Sequence, residues 1–145
     1  VADAAIDKMV EDGNVGSLVM MDLDYFKSVN DTYGHAVGDS VLKEFAMLLE
    51  ESIKDIPGAS VVRWGGEEFL AMLPGIDEEA AAKYAEALRV RIAEFKFTDV
   101  KECITVSLGM VTTDGKEEKH QIFIKADDSL YAAKNSGRNC FVQYK

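Results

Sequence analysis

The stretch that most constrains this chain runs from residue 61 to residue 73, Val-Val-Arg-Trp-Gly-Gly-Glu-Glu-Phe-Leu-Ala-Met-Leu. Strand-forming residues flank Gly65 and Gly66, and both central positions of a primed hairpin turn need positive φ, which glycine adopts without steric cost. The stretch therefore predicts two strands joined by a tight turn at these glycines. Glu67 and Glu68 would lie at the bend, either as solvated glutamates of a hairpin tip or as part of a ligand site.

A second acidic cluster follows the continuous apolar run at residues 17–21, Ser-Leu-Val-Met-Met. Such a run is typical of a strand that is buried on both faces. Asp22 and Asp24 are two positions apart, so in extended backbone they point to the same side. Carboxylates at the end of a buried strand are costly unless they are paired or bind a cation, and a hard divalent ion such as Mg²⁺ accepts them. The two acidic clusters together favour a metal site over a solvated hairpin tip.

Composition limits the class of protein and its partners. The chain has 145 residues, 48% of them hydrophobic, which suits one packed globular domain. A net charge of −10 disfavours nucleic acid or an anionic membrane as a partner, but not a small anion that is neutralised by a metal and local cations. Cys103 and Cys140 have no His or Cys at ligand spacing, so we expect reduced core cysteines rather than a disulfide or a zinc site. No apolar run reaches the roughly 18 residues of a membrane span and no signal peptide is visible, which makes the cytoplasm the default location.

Hydrophobic periodicity predicts helices and strands that alternate along the chain. Apart from the hairpin, the predicted helices are 4–10, 40–53, 77–95 and 122–133, and the predicted strands are 17–21, 103–111 and 140–142. Residues 25–39 are predicted to begin as a helical turn and to become a loop broken by Gly34 and Gly38. Asp39 then precedes a helix, where it is a candidate N-cap as well as a ligand-binding residue. The pattern predicts an α/β or α+β, ferredoxin-like domain in which helices cover a mixed sheet of about five strands.

Cationic residues complete a constellation that suits phosphate chemistry. Lys134 and Arg138 follow the last long helix, where each is also favoured simply as a charge at a helix C-terminus. Lys27 stands in the turn after the first acidic cluster, where backbone amides and an ammonium group can face a phosphate. His35 is explained equally well as a loop histidine without a role. Carboxylates that hold a metal, a metal that holds phosphates and cations that take the remaining charge are the parts of metal-assisted phosphoryl or nucleotidyl transfer.

These segments resemble the GGDEF family, the diguanylate cyclases, with Gly-Gly-Glu-Glu-Phe at residues 65–69 as the signature. The resemblance covers the chain from about Leu18 to Phe141. Its supporting segments are Met-Asp-Leu-Asp-Tyr-Phe-Lys at 21–27, Asn-Asp-Thr-Tyr-Gly-His at 30–35, Gly-Asp at 38–39, Thr-Val-Ser-Leu-Gly at 105–109, and 126–139. The family fold is similar to the palm of polymerases and of class III nucleotidyl cyclases.

The resemblance implies that a homodimer condenses two GTP molecules to cyclic di-GMP and two pyrophosphates, by attack of a 3′-hydroxyl on an α-phosphate. It also implies Mg²⁺, or Mn²⁺ in its place, with two ions in each active site. A sensor or regulatory domain is expected in the full-length protein. The domain is then cytoplasmic, or the cytoplasmic part of a membrane-anchored sensor.

The resemblance further assigns roles to individual residues. The metal ligands are Asp22, Glu67 and the carbonyl oxygen of Leu23. The catalytic set is Glu67, Glu68 and Lys27, in which either glutamate helps to deprotonate the attacking hydroxyl and the lysine meets phosphate. The substrate-binding set is Phe26, Asn30, His35, Asp39, Lys134 and Arg138, with Asn30 and Asp39 at the guanine edge, His35 near the nucleoside and the two late cations at the phosphates. A carboxylate can accept from both the N1–H and the N2 amino group of guanine, which adenine cannot offer, so Asp39 favours GTP over ATP.

Two departures from the family pattern are visible. The family's Arg-x-x-Asp product-binding motif ends six residues before the first signature glycine, where this chain has Ile56 and Ala59, so we expect that inhibitory site to be absent. The family's amino-terminal Asp-x-Leu-Thr-x-Leu-x-Asn-Arg-like turn is also missing, which suggests a single GGDEF domain over residues 1–145, excised from a longer chain. Two other functions stay open: a catalytically weak signalling module that binds GTP or cyclic di-GMP, and a palm-type nucleotidyltransferase with a different product. An active cyclase is favoured because every catalytic position is filled.

Overall fold

A five-stranded mixed sheet covered by helices is the scaffold of the protein. The computed structural model describes residues 15–144. In chain order, the elements of this part of the chain are β1 (Gly16–Leu23), α1 (Phe26–Tyr33), α2 (His35–Ile53), β2 (Ser60–Gly65), β3 (Glu68–Pro74), α3 (Glu78–Glu94), β4 (Val106–Thr113), α4 (Lys119–Asn135) and β5 (Phe141–Gln143). The helix predicted over residues 4–10 lies outside the described residues. The predicted fold class, with about five strands and helices that cover them, is confirmed.

The sheet has the order β2-β3-β1-β4-β5, with β1 at its centre. β1 pairs antiparallel with both β3 and β4, β2 pairs antiparallel with β3, and β5 runs parallel to β4. Every residue of β1 is buried, because a central strand with helices on both sides of the sheet has no exposed face. The acidic residues that follow the apolar run are thereby held at the end of the most buried strand.

Two hydrophobic clusters cover the two faces of the sheet. The larger cluster packs α1, α2 and α3 against β1 residues of odd number, including Val19 and Met21. The smaller cluster packs α4 against Leu18 and Met20 on the opposite face. Because side chains alternate between the faces of a strand, Asp22 points to the side of α4. The C-terminal end of α4 and the carboxyl end of β1 therefore lie together.

Gly109 in β4 lets α4 approach the sheet closely. A Cβ atom at this position would lie 2.1 Å from the backbone nitrogen of Leu130 and 2.6 Å from the carbonyl oxygen of Ala126. Backbone atoms of a packed helix cannot move aside as the end of a flexible side chain can. The glycine thus sets the distance between α4 and the central strands.

We expect Gly109→Ala to lower the free energy of unfolding by about 3 kcal/mol or more, because the added methyl overlaps helix backbone. Urea unfolding followed by circular dichroism measures the change. Gly66→Ala is the matched control, since Gly66 has no atom within 4 Å of an added Cβ and its φ is outside the left-handed region. Equal stability of the two variants would contradict this packing.

The segment at residues 25–39 differs from its prediction. Instead of a helical turn followed by a loop, it forms α1 and the first turn of α2, which meet at Gly34. Gly38 lies inside α2, and a Cβ atom there would lie 1.8 Å from Oδ1 of Asn30. Close packing against this side chain, rather than a break in the helix, explains the glycine. The N-cap prediction for Asp39 is also wrong, because α2 begins at His35 and Asp39 lies one turn inside it.

The hairpin forms as predicted, but its turn does not have the predicted geometry. β2 continues through Gly65, and the two residues between the strands are Gly66 and Glu67. Neither glycine has φ in the left-handed region, so this is not a primed turn with two positive φ angles. The pairing register shifts between Arg63 and Gly65, and this irregularity lets the chain reverse without that turn type.

Two expectations from composition have separate outcomes. Cys103 and Cys140 are free, as predicted, but they are not core residues, since the first is exposed and the second is half-buried. None of the helices between residues 15 and 144 combines the length and the hydropathy that a membrane span requires.

Candidate active site

The two acidic clusters meet at the carboxyl end of β1. Antiparallel pairing with β3 sets Asp22 opposite Glu68, and the hairpin turn carries Glu67 next to it. Burial raises the pKa of both glutamates, and the nearby charge of Asp22 raises it further. The three carboxylates therefore repel one another, and a bound cation would reduce this repulsion.

The two oxygens of Asp22 have different surroundings. The residue is only 5% exposed, and its Oδ2 accepts a hydrogen bond of 2.6 Å from Nζ of Lys134. Its Oδ1 is buried and has no hydrogen-bond partner. Burial raises the pKa of this carboxyl, while the hydrogen bond and charge of Lys134 act in the opposite direction. An unpaired, buried carboxylate oxygen is costly and calls for an additional ligand.

The donor atoms at this edge suit a hard divalent cation. Oδ1 of Asp22, the carboxylate of Glu67 and the backbone carbonyl of Leu23 are all oxygens, which Mg²⁺ and Mn²⁺ prefer. Within residues 15–144, no group of three or more His, Cys, Asp or Glu side chains is arranged to hold a metal ion by itself. Magnesium sites that use one or two carboxylates take their other ligands from water and substrate phosphates, so the residues present fit such an ion.

Asp24 has a different environment from Asp22. It is 4% exposed, and both its oxygens accept hydrogen bonds, from the hydroxyls of Thr105 and Ser107 at 2.6 Å and from the backbone N–H of Asn139 at 2.9 Å. Of these partners of Asp24, Ser107 lies in β4, Thr105 immediately precedes β4, and Asn139 lies in the segment after α4. The sequence-based interpretation, in which both aspartates were open to a cation, therefore applies to Asp22 and not to Asp24.

Two cations extend from the end of α4 toward the acidic residues. Lys134 lies in the last turn of this helix and binds Asp22. The guanidinium carbon of Arg138 lies 4.8 Å from the centroid of the Tyr25 ring, and its Nη1 is 3.9 Å from Oδ1 of Asp24. Both residues thus contact the segment that follows β1 or its last residues, beyond any role as charges at a helix terminus.

The residues predicted to bind guanine come together on α1 and α2. The side chain of Asn30 lies against Gly38, the neighbour of Asp39. Asp39 is exposed and lines a groove of about 520 Å³ between α2 and the hairpin, together with Arg63 and Phe69. Asn30 and Asp39 therefore border the same region of the surface.

Three other predicted residues are less closely tied to the acidic cluster. Phe26 is buried in the larger cluster and packs against Gly38, where its ring atom Cζ would lie 3.3 Å from an added Cβ. Lys27 and His35 are exposed. In the part of the chain that the structure describes, no hydrogen bond or ion pair joins either of them to Asp22 or the glutamates.

Residues that the sequence interpretation missed surround Asp24. Thr105 and Ser107 contribute two of its hydrogen-bond donors, and Tyr25 contacts Arg138. One signal was available, because two hydroxyl residues alternate with apolar ones in an otherwise apolar strand and so point to one face.

The order of the sheet, the helices on its two faces and the acidic edge of β1 define a palm-type nucleotidyl cyclase fold. The family described as "Diguanylate cyclase, GGDEF domain" matches residues 2–140. The chain belongs to this family, as the resemblance predicted.

Known relatives agree with this assignment. The diguanylate cyclase DgcM of Escherichia coli (strain K12) is 42% identical over 123 residues, which are 85% of this chain and 29% of DgcM. The active GGEEF domain of a diguanylate cyclase from Vibrio cholerae matches with a TM-score of 0.87 and 35% identity, over 99% of this chain and 93% of that one. The coiled coil and GGDEF domain of DgcB from Caulobacter crescentus, in complex with c-di-GMP, matches with a TM-score of 0.88 and 30% identity, over 98% of this chain and 78% of that one. The chain thus spans less than a third of the length of DgcM.

The positions of the family's Arg-x-x-Asp motif carry Ile56 and Ala59. Both are half-buried and pack against the larger hydrophobic cluster. They offer neither a cation nor a carboxylate to a dinucleotide, and the absence of product inhibition through this motif stays a prediction.

Proposed function

We propose that the chain is the catalytic domain of a diguanylate cyclase, which condenses two GTP molecules to cyclic di-GMP and two pyrophosphates. The observation that carries the proposal is the unpaired, buried Oδ1 of Asp22, beside Glu67 and Glu68 and close to Lys134. Membership of the GGDEF family and the similarity to DgcM and to the Vibrio cholerae domain support it.

In this proposal, Asp22, Glu67 and the carbonyl oxygen of Leu23 hold Mg²⁺ or Mn²⁺, with two ions in each site. When bound, the metal supplies positive charge that neutralises the triphosphate. Either Glu67 or Glu68 accepts the proton of the attacking 3′-hydroxyl as a general base. A new bond then forms between that oxygen and the α-phosphorus, and pyrophosphate leaves.

The proposed substrate contacts use both sides of the acidic cluster. Lys134 and Arg138 bind phosphate oxygens from the end of α4, and Lys27 assists from α1. Asn30 and Asp39 bind the guanine edge, while Phe26 and His35 complete the nucleoside pocket. Their position around one edge of the sheet supports a nucleotide that extends from the groove beside α2 to the carboxylates.

A single domain would bind only one of the two GTP molecules that react. Each 3′-hydroxyl must reach the α-phosphate of the other GTP, and the product has two-fold symmetry, so we infer a homodimer with two facing half-sites. The full-length protein, in the cytoplasm or facing it from a membrane, would control this encounter through a sensor or regulatory domain.

Incubation with GTP and Mg²⁺, followed by mass spectrometry of the products, tests the function. We expect cyclic di-GMP and pyrophosphate in a ratio of one to two, and no product when a chelator is in excess. Binding of GTP without turnover would favour a signalling module instead. A linear or mixed dinucleotide would indicate a nucleotidyltransferase with a different product.

Asp39→Ala is expected to reduce the preference for GTP over ATP by about tenfold or more, because a charged hydrogen-bond acceptor at the guanine edge is lost. Since Asp39 is exposed and does not cap α2, the free energy of unfolding should change by less than about 0.5 kcal/mol. The preference is measured as the ratio of the GTP and ATP concentrations that displace bound 3′-deoxy-GTP. Asp31→Ala, an exposed position on α1, is the control. Unchanged discrimination in the Asp39 variant would remove this residue from the guanine site.

A further inference from the structure

The carboxylate oxygens of Asp24 both accept hydrogen bonds from other residues of the protein. Oδ2 accepts hydrogen bonds from the Thr105 hydroxyl and the Asn139 backbone N–H, and Oδ1 accepts one from the Ser107 hydroxyl. Oδ1 of Asp22, only two residues earlier, has no partner. The two aspartates of the first acidic cluster therefore differ in their contacts, and of the two only Asp22 has an oxygen without a hydrogen-bond partner, which an added ligand could bind.

The segment that Asp24 holds has an unusual backbone. Gly137, Arg138 and Asn139 have φ angles of 110°, 65° and 47°, three left-handed residues in succession. Left-handed conformations of residues other than glycine are strained and persist only where contacts enforce them. The N–H of Arg138 donates to the carbonyl oxygen of Ala133, and the N–H of Asn139 donates to Asp24. These two bonds fix the direction in which Arg138 leaves the end of α4.

Tyr25 holds the same arginine from the solvent side. Tyr25 is 65% exposed, and the centroid of its ring lies 4.8 Å from the guanidinium carbon of Arg138. Tyr25 itself has a left-handed φ of 57° at the start of α1. Two adjacent residues after β1 thus contact one arginine, Asp24 through an ion pair and Tyr25 through its ring, and Asp24 also binds the backbone N–H of the next residue, Asn139.

We propose that Asp24 and Tyr25 are positioning residues that hold Arg138 in the orientation in which it binds phosphate, and that Asp24 is not a metal ligand. An arginine that is ordered before the nucleotide arrives loses less conformational entropy on binding, so its support contributes to affinity for the triphosphate. The phosphate contact of Arg138 rests on the proposed function. The support of residues 137–139 by Asp24 does not.

Paired substitutions separate a positioning role from metal binding. In Asp24→Asn, the amide oxygen can still accept from Thr105 and Asn139, while the amide N–H₂ can donate to the Ser107 hydroxyl, which also accepts. This variant therefore keeps the hydrogen bonds and loses the charge, whereas Asp24→Ala loses both. Asp55→Asn, an exposed position after α2, controls for the change of net charge.

The first measurement is binding of Mn²⁺ with 3′-deoxy-GTP, which cannot react, followed by electron paramagnetic resonance. We expect Asp24→Asn to stay within about threefold of the parent protein, because it keeps the hydrogen bonds that hold the segment of Arg138. Asp24→Ala loses these bonds and should bind the nucleotide about tenfold more weakly, since Arg138 is no longer ordered before binding. Asp22→Asn should lose Mn²⁺ binding. If Asp24→Asn loses Mn²⁺ as completely as Asp22→Asn does, Asp24 is a metal ligand and the proposal is overturned.

The second measurement is amide hydrogen exchange of residues 136–140 in the protein without nucleotide. We expect faster exchange in Asp24→Ala and parent-like exchange in Asp24→Asn. Unchanged exchange in the alanine variant would overturn the proposal whether or not the protein makes cyclic di-GMP. If instead exchange responds as expected but the parent protein yields no cyclic di-GMP, the proposed function fails and the support of this segment stands.

Tyr25 provides a second test in case Asp24→Ala does not fold. Because its side chain is exposed, Tyr25→Ala should leave the fold intact, raise the KM for GTP about threefold to tenfold and change kcat little. Tyr25→Phe keeps the ring and should behave as the parent protein. Equal KM values for all three proteins would overturn the role of Tyr25.

Discussion

Glu67→Gln is expected to abolish formation of cyclic di-GMP while the domain stays folded. The substitution keeps the size of the side chain but removes the charge that the proposal assigns to metal binding and a candidate base at the hairpin turn. Loss of general-base catalysis alone lowers turnover by roughly 10² to 10⁴, and loss of a metal ligand lowers it further. Product formation by mass spectrometry and the midpoint of urea unfolding, measured on the same preparation, test the two halves of this expectation.

The matched control is Glu94→Gln, an exposed position at the end of α3. It should leave turnover unchanged. Glu68→Gln, measured in parallel, distinguishes which glutamate accepts the proton, because Glu67 alone is assigned to the metal. Turnover of Glu67→Gln within tenfold of the parent protein would refute the role of this residue in metal binding and catalysis.

Specific activity is expected to rise steeply with protein concentration. In the proposed homodimer each half-site holds one GTP, so the two reacting nucleotides would meet only in a dimer, and loss of such proximity can cost many orders of magnitude in rate. Fusion to a dimerising coiled coil should raise activity at low concentration to the level that the unfused domain reaches only at high concentration. Initial rates over a thousandfold dilution series, with sedimentation to record the oligomer, provide the measurement.

A fusion that carries Glu67→Gln controls for effects of the coiled coil itself and should be inactive. The dimer requirement would be refuted by activity per monomer that stays constant across the dilution series while sedimentation finds monomer throughout.

The sequence was sufficient for the fold class and for the meeting of Asp22 with the two glutamates. The apolar run before Asp22 predicted a strand that is buried on both faces, and the residues around the signature predicted a hairpin. The order of the strands then set Asp22 opposite Glu68. Local patterns succeeded here because each one reported burial, which is also what determines the sheet.

Local patterns failed where a contact distant in the chain decides the conformation. Gly38 was interpreted as a break before the helix, but it lies inside α2. A glycine is required there because the side chain of Asn30 occupies the space that a Cβ would need. The N-cap prediction for Asp39 failed for the same reason, since it depended on that break. Glycine preferences are weak compared with packing of this kind.

The role of Asp24 was beyond prediction from spacing. Its hydrogen-bond donors Thr105 and Asn139 are 81 and 115 positions away in the chain. An acidic residue two positions from a metal-binding candidate suggests a second ligand when only the sequence is considered. The distinction between the two carboxylates depends on which donors the completed fold brings to each.

The two glycines of the signature bear on how sequences of this kind tolerate change. At Gly65 and Gly66, φ is outside the left-handed region, and no atom of any residue other than the chain neighbours lies within 4 Å of an added Cβ. The folded chain alone would therefore accept alanine at either position. A requirement for glycine there would come from a molecule outside the chain, and in the proposed function that molecule is the nucleotide bound beside the turn. Variants at these positions would be invisible to a selection for stability and would be eliminated only by a selection for activity.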